Sequence, residues 1–130
     1  MRVGSRRLLM ALPLLALARP VTAQQAPAGL VGQWQGQVEG VGGVRLFVTA
    51  VSPNGQIQGR MEFDLQSFVS TFSDKADSTR STNHGVVSGD TVTIEAALGG
   101  TYRLTLAGNR LAGRYTRGTT FDGAATFVKQ

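Results

Sequence analysis

An alternation of apolar and polar residues with a period of two is the feature of this sequence that most constrains its fold. It runs from about residue 32 nearly to the C-terminus. Successive side chains of a β-strand point to opposite faces of the sheet, so this alternation is typical of strands that bury one face. In the first strand Trp34, Gly36 and Val38 share one face, and glutamines occupy most of the other. The pattern predicts eight strands, and no amphipathic helix is indicated after residue 23.

Short segments with turn-forming residues separate most of these strands, at positions 40–43, 52–55, 88–90, 98–100 and 107–109. Their Asn-Gly and Gly-Asn pairs accommodate the positive φ angles of tight hairpins. Short connections join antiparallel neighbours, and glycines on the inward faces leave room for strands to bend. We therefore predict one all-β domain over residues 31–130, a single eight-stranded antiparallel up-and-down β-barrel. A β-sandwich is the alternative.

Residues 67–83 interrupt the alternation, because positions 73–82 are almost entirely polar or charged. A connection of this length is unusual inside a compact domain. The segment is therefore predicted to be a polar loop, and it is either a functional lid or disordered.

The first 23 residues have the composition of a signal peptide. Three arginines lie among the first seven residues, an apolar run follows at residues 8–18, and small residues precede a cleavage site after Ala23. The apolar run is too short to span a bilayer. We therefore predict an exported protein, either periplasmic or secreted.

The mature chain is predicted to begin at Gln24, with a flexible tail over residues 24–30 and no membrane span. Arg6 and Arg7 lie before a leucine pair and resemble a twin-arginine export signal. An ordinary signal that contains two adjacent arginines is the alternative.

The formal charge of the whole chain is +5, and the predicted signal peptide supplies most of it. Without the four arginines of that peptide, nine basic and eight acidic side chains remain. A nearly neutral domain gives no support to nucleic-acid binding. Residues 98–130 still hold five basic side chains and one acid. This region is either solvated surface or a patch for an anionic partner.

Several kinds of chemistry are disfavoured by the residue types present. The chain has no cysteine, which excludes disulfides, thiol catalysis and cysteine-ligated metals. His84 is the single histidine, and we predict that it lies in a turn or at a strand edge. No histidine pair or carboxylate cluster has the spacing of metal ligands, and no phosphate loop or dinucleotide motif is present. We predict no catalytic residue, no metal and no cofactor.

The predicted inward faces carry no group that is ionisable near neutral pH. General acid–base catalysis needs such a group in a cleft, so the interior favours binding or packing over catalysis. It is either a dry core or an apolar pocket in which aromatic side chains provide stacking surface and polar groups.

The start of the domain resembles two families of small barrels. Gly32-Gln33-Trp34 looks like the Gly-x-Trp signature of lipocalin-type barrels, and the spacing onward to residues 48–50 and 55–61 is similar to the opening of the avidin family. Avidins close their biotin pocket with several tryptophans, whereas this chain has only Trp34. The resemblance therefore implies the fold and not biotin binding. It also implies a small apolar ligand inside the barrel or a partner protein at its open end.

These observations predict a non-enzymatic binding module for a small apolar or amphipathic ligand. The candidate ligand-binding residues are large inward side chains, gated by residues 67–83: Trp34, Met61, Phe63, Tyr102, Tyr115 and Phe121. The alternative is a protein-interaction module, such as an inhibitor or a partner of an envelope protein. It would act through loops or through the basic C-terminal half.

Overall fold

The computed structural model describes residues 28–65, 67–73, 82–97 and 99–130. The predicted signal peptide and the centre of the predicted polar loop lie outside these residues. A 3-10 helix at Ala28–Leu30 precedes nine strands. They are β1 Gly32–Val38, β2 Gly42–Val51, β3 Ile57–Phe63, β4 Phe68–Phe72, β5 Thr82–Ser88, β6 Thr91–Glu95, β7 Thr101–Ala107, β8 Arg110–Arg117 and β9 Phe121–Lys129.

The nine strands form one closed barrel in which each strand pairs with its neighbours in the sequence, and β9 pairs with β1 to complete the ring. The prediction of a single all-β barrel is confirmed, and the alternative of a β-sandwich is wrong. The prediction of eight purely antiparallel strands is also wrong, because β4 and β5 pair in parallel. In a ring of nine strands the directions cannot alternate throughout, so one parallel pair is required.

The parallel pair is short. It contains the strand that the sequence pattern does not predict, β4, which lies within the predicted polar loop. β4 and β5 are in register only around Thr71 and Thr82. β3 pairs with β4 along its C-terminal half, while Gln56, just before β3, forms a bridge with Val86 of β5. β4 therefore pairs with the C-terminal half of β3, and β5 contacts the chain just before β3. Together the two short strands take the position that one longer strand would have beside β3.

The predicted polar loop at residues 67–83 is partly barrel wall, since it contains β4 and the start of β5. Two polar side chains of this segment are buried. The Asn83 side-chain amide donates to Ser70 Oγ at 2.8 Å, and its oxygen accepts from the Ala97 backbone N–H at 2.8 Å. The loop prediction failed at β4 because the central inward residue of this five-residue strand is Ser70, so the apolar alternation is not visible there.

The N-terminal 3-10 helix belongs to the barrel. Leu30 is fully buried, and its carbonyl accepts a hydrogen bond from Trp34 Nε1 at 2.9 Å. Residues 28–30 are therefore ordered against the core, unlike the flexible tail predicted over residues 24–30. The sequence did not indicate this because three residues are too few to show a helical period.

Apolar side chains from all nine strands fill the barrel or pack against its core, and those of β4, Phe68 and Phe72, are only partly buried. Tight packing fixes the residue type at some inward positions. A Cβ atom at Gly36 would overlap the ring of Phe127 on the neighbouring strand β9. Gly59 has a φ of +148° beside the register shift between Val48 and Ala50, and a Cβ there would overlap a backbone carbonyl of β2. These glycines allow the strands to approach and bend as barrel closure requires.

Candidate functional site

The two ends of the barrel differ. One end, here called the base, carries the 3-10 helix and the β5–β6 and β7–β8 turns. The opposite end, here called the mouth, carries the β1–β2, β3–β4, β6–β7 and β8–β9 connections. A cavity of about 110 Å³ opens at the mouth. This mouth cavity is lined by Gly40, Val41, Phe63, Leu65, Ala96, Gly99, Tyr102, Tyr115 and Arg117.

Aromatic side chains form the inner part of the mouth cavity. Tyr102 of β7 lies directly opposite Tyr115 of β8, and their ring centroids are 4.6 Å apart. Tyr115 also lies 5.9 Å from the ring of Phe121, and Tyr102 lies 6.4 Å from Phe127. Phe63, the last residue of β3, contributes to the wall from another strand. The cavity therefore has aromatic surfaces on which a planar or apolar group can pack.

The two tyrosine hydroxyls have different surroundings. Tyr115 Oη donates a hydrogen bond to the Gly99 carbonyl at 2.9 Å. Tyr102 is fully buried, and its hydroxyl has no hydrogen-bond partner among the described residues. Burial, and to a lesser extent the neighbouring Tyr115, raises the pKa of Tyr102 above its ordinary value of 10.0. The Tyr102 hydroxyl therefore stays protonated near neutral pH and can donate a hydrogen bond.

The rim of the mouth cavity combines a glycine turn, a cation and an exposed leucine. Gly99 and Gly100 both have positive φ, which lets the β6–β7 turn lie close against the ring of Tyr115. Arg117 is the only charged residue among those that line the cavity. Leu65, in the β3–β4 connection, is 75% exposed. The rim thus combines a basic side chain with an exposed apolar one.

Three of the six predicted ligand-binding residues, Phe63, Tyr102 and Tyr115, come together in the wall of the mouth cavity. Phe121 packs behind Tyr115 and against the core. Trp34 and Met61 are fully buried, and neither is among the lining residues.

Trp34 lies near the base. Its indole nitrogen is bonded to the 3-10 helix, and the Lys129 ammonium lies 5.7 Å from the ring centroid. The alternation of the sequence assigns side chains to the inner face but does not tell at which end of the barrel each one lies.

The remaining lining residues come from connections or strand ends, and they are not among the six predicted ligand-binding residues. They are Gly40, Val41, Leu65, Ala96, Gly99 and Arg117. One signal was available, because alternate connections of an up-and-down meander lie at the same end. Counting those ends along the chain would have placed the Gly40 and Gly99 turns together.

The outer surface carries an ionic network and a cluster of arginines. On β2 and β3, Arg45 and Arg60 both contact Glu62, with nitrogen–oxygen distances of 3.2 and 2.8 Å. On β7 and β8, Arg103 lies opposite Arg114, which forms a 2.9 Å salt bridge with Asp122 of β9. The arginines of the basic C-terminal half thus partly cluster on neighbouring strands.

Other classes of site find no support among the residues that the structure describes. His84 lies on β5, opposite Glu95, and its Nδ1 atom is 3.4 Å from the Ser73 carbonyl. The described part of the chain holds no group of three or more histidine or carboxylate side chains that could bind a metal ion. Within the same residues, no helix has the length and apolar character needed to cross a membrane.

Comparisons with protein-family models, with curated proteins and with solved structures found no match for this chain. The fold itself is a small closed β-barrel, which is compatible with a lipocalin-like or avidin-like barrel. The chemistry of the mouth cavity is therefore the basis for assigning a function.

Proposed function

We propose that this protein is an exported, non-enzymatic binding module that takes the apolar part of a small amphipathic ligand into the mouth of its barrel. The observation that supports this is an aromatic-walled cavity at the mouth of the barrel, beside a core of packed apolar side chains. Ligand sites in proteins are typically apolar concavities with a few polar groups, and the mouths of barrels are common places for them.

The size of the mouth cavity limits what it accepts. Pockets that enclose drug-sized molecules have volumes of about 300–1,000 Å³. An apolar cavity of about 150 Å³ binds benzene. A volume of about 110 Å³ therefore suits one ring or a short chain, with the remainder of the ligand outside the barrel.

The chemistry of the cavity wall supports binding rather than catalysis. Its titratable side chains are Tyr102, Tyr115 and Arg117. Burial raises the pKa of Tyr102 above its ordinary value. General acid–base catalysis is most efficient when the pKa of the catalytic group is near the working pH, and this wall offers no carboxylate or imidazole for that role.

Export is the second part of the proposal, and it depends on the N-terminal sequence. The arginines, the apolar run and the small residues before Gln24 together favour delivery to the periplasm or the exterior. A barrel with no cysteine needs no oxidative step in either compartment.

A protein-interaction module remains the second candidate, and one observation favours it. Leu65 and Val69 lie on and beside the β3–β4 connection, and they are 75% and 54% exposed. Exposed apolar side chains next to a small cavity suit a partner protein that inserts one side chain there. This partner would be an envelope protein or a target of inhibition.

Native mass spectrometry of the protein purified from its host separates the two candidates. A retained small molecule supports the ligand-binding module, whereas a stable protein complex supports the second candidate. A fluorescent apolar probe then locates the site. We expect Ala96→Leu, which fills the mouth cavity, to abolish probe binding. The matched variant Ala124→Leu, on the exposed face of β9, should leave binding unchanged. Equal binding by both variants would place the probe elsewhere.

A further inference from the structure

The β2–β3 connection contains a motif that the proposed function does not use, the pair Asn54–Gly55. Asparagine is a chemically labile residue, because a backbone nitrogen can attack its side-chain amide. The attack is easiest when glycine follows, since no side chain then shields the nitrogen. This is the only Asn-Gly pair of the sequence, and the other two asparagines precede His84 and Arg110.

Both groups that would react belong to one turn, and Ser52 contacts both of them. Asn54 is exposed to solvent, and Gly55 has a φ of +90°. The Gly55 N–H donates a hydrogen bond to the Ser52 carbonyl at 2.8 Å. The Ser52 hydroxyl contacts the side-chain oxygen of Asn54. Ser52 therefore restrains the Gly55 nitrogen through its carbonyl and the Asn54 side chain through its hydroxyl.

Ser52 is itself held by Gln56. The Ser52 N–H donates to the Gln56 carbonyl at 2.9 Å, and the Ser52 hydroxyl accepts from the Gln56 N–H at 3.0 Å. We call these contacts of Ser52 with Asn54, Gly55 and Gln56 the Ser52 clip. A few hydrogen bonds within one turn open far more often than a whole domain unfolds, so the clip slows the attack without preventing it.

We propose that Asn54–Gly55 is a modification site at which the folded protein converts Asn54 into aspartate and isoaspartate, at a rate set by the Ser52 clip. The Gly55 nitrogen forms a bond to the side-chain carbonyl carbon of Asn54, and the bond from that carbon to the amide nitrogen breaks. The amide nitrogen leaves as ammonia with the proton of the Gly55 N–H. Water then opens the cyclic imide at either carbonyl, and no oxidant or other co-reactant is needed.

The isoaspartate product affects the contact between the turn and β5. Its backbone runs through the former side chain, so it is longer by a single carbon atom between residues 54 and 55. The Gly55 carbonyl accepts a hydrogen bond from the Val87 N–H at 2.8 Å, and a Cβ atom at Gly55 would overlap the Val87 carbonyl. A displaced backbone does not fit at this position, so isoaspartate weakens the contact with β5. This consequence concerns the base of the barrel and does not depend on the function proposed for the mouth.

Ageing of the folded protein in mildly alkaline buffer tests the site. Peptide mass spectrometry with electron-transfer fragmentation distinguishes asparagine, aspartate and isoaspartate. We expect both products at Asn54 before any appears at Asn109. The latter is the internal control, because it is an exposed asparagine in the β7–β8 turn that is followed by an arginine.

Substitutions test the role of the Ser52 clip. Ser52→Ala should raise the rate at Asn54 by about three- to tenfold, the factor that corresponds to the loss of one hydrogen bond. Ser88→Ala, at an exposed serine that ends β5, is the matched control and should leave the rate unchanged. Unfolding the wild-type chain in urea removes the clip without a substitution and should also raise the rate.

Hydrogen exchange tests the consequence for β5. The modified protein carries an additional negative charge, so ion exchange separates it from the unmodified protein. In its isoaspartate form, the Val87 amide proton should exchange faster with solvent, whereas the Leu106 amide, bonded to the Asp90 carbonyl at the same end, should be unchanged. Asn54→Asp adds the same charge without lengthening the backbone, and it should keep the Val87 amide protected.

Each part of the proposal has an outcome that overturns it. If Asn54 stays unmodified, or if Asn109 reacts as fast, the modification site is wrong. An unchanged or lower rate for Ser52→Ala overturns the role of the clip, and so does an unchanged rate in urea. Equal exchange of the Val87 amide in the isoaspartate form and in Asn54→Asp contradicts the effect on β5.

Discussion

At the scale of single residues, the barrel uses its largest side chains for different purposes at its two ends. The rings of Tyr102 and Tyr115 line the cavity at the mouth. Trp34 is fully buried towards the base, where its N–H is bonded to the Leu30 carbonyl. The base is thus stabilised by packing and a satisfied hydrogen bond, while the mouth retains open volume.

Trp34 is expected to be a major source of stability. Replacing it with alanine empties a large, fully packed position, so Trp34→Ala should lower the free energy of unfolding by about 3–5 kcal/mol. Urea titration measures this loss. Val31→Ala, at a side chain that is 43% exposed, is the control and should have a much smaller effect. Native indole fluorescence that iodide quenches as well as in urea would contradict the buried position.

At the scale of elements, the β2–β3 pair shows how surface charges are ordered across strands. A hydrogen bond from Arg60, assisted by one from Arg45, lowers the pKa of Glu62 below its ordinary value of 4.5 against the opposing effect of burial. A lowered pKa in the folded state means that the ionised carboxylate stabilises the fold. This contribution is complete above about pH 4.5 and is lost as the pH falls through the lowered value.

Glu62→Gln is therefore expected to reduce the acid sensitivity of the protein. Between about pH 5 and pH 3, the thermal midpoint should fall less steeply for this variant than for the wild type. The effect is small, because the carboxylate is near the surface. Asp90→Asn, in the β5–β6 turn, removes a carboxylate outside the network and serves as the control. Parallel curves for Glu62→Gln and wild type would show that the network adds no pH-dependent stability.

The β4–β5 pair is the shortest seam of the barrel, and its strength can be measured. Pairing between these strands is confined to two positions around Thr71 and Thr82, whereas β8 and β9 pair from Arg110 to Arg117. Regions with few backbone hydrogen bonds and little buried apolar surface open most readily. Amide protons of β4 are therefore expected to exchange with solvent faster than those of β9. Equal protection of the two strands would mean that the seam opens only with the whole barrel.

At the scale of the whole molecule, export predicts a defined N-terminus. Protein recovered from the envelope or the medium should have the intact mass of a chain that begins at Gln24 or within a residue or two of it. Recovery only of cytoplasmic protein that retains Met1 would contradict the prediction. Replacing Arg6 and Arg7 with lysine tests the route. The change should block export through a twin-arginine pathway and leave export through an ordinary signal intact.

The sequence by itself determined which residues face inward, because the pleat of a strand is a local property with a period of two. Phe63, Tyr102 and Tyr115 were assigned to the interior in this way, and all three are buried. The same local pattern failed at β4, where a polar Ser70 occupies the central inward position. Its partner Asn83 is 13 residues away along the chain, so no local signal indicates that the hydroxyl will be satisfied.

Only the tertiary structure decided how the strands close and which inward side chains meet. Closure depends on pairing between β9 and β1, at opposite ends of the domain, and on the parallel contact of β4 with β5. Trp34 is predicted together with residues of the mouth because the alternation assigns a side chain to the inner face and does not tell at which end of the barrel it lies. The difference between the hydroxyls of Tyr102 and Tyr115 depends on one carbonyl, that of Gly99, which the β6–β7 turn presents to Tyr115 alone. Such contacts arise from the packing of segments that are distant in the sequence, so a local sequence pattern does not predict them.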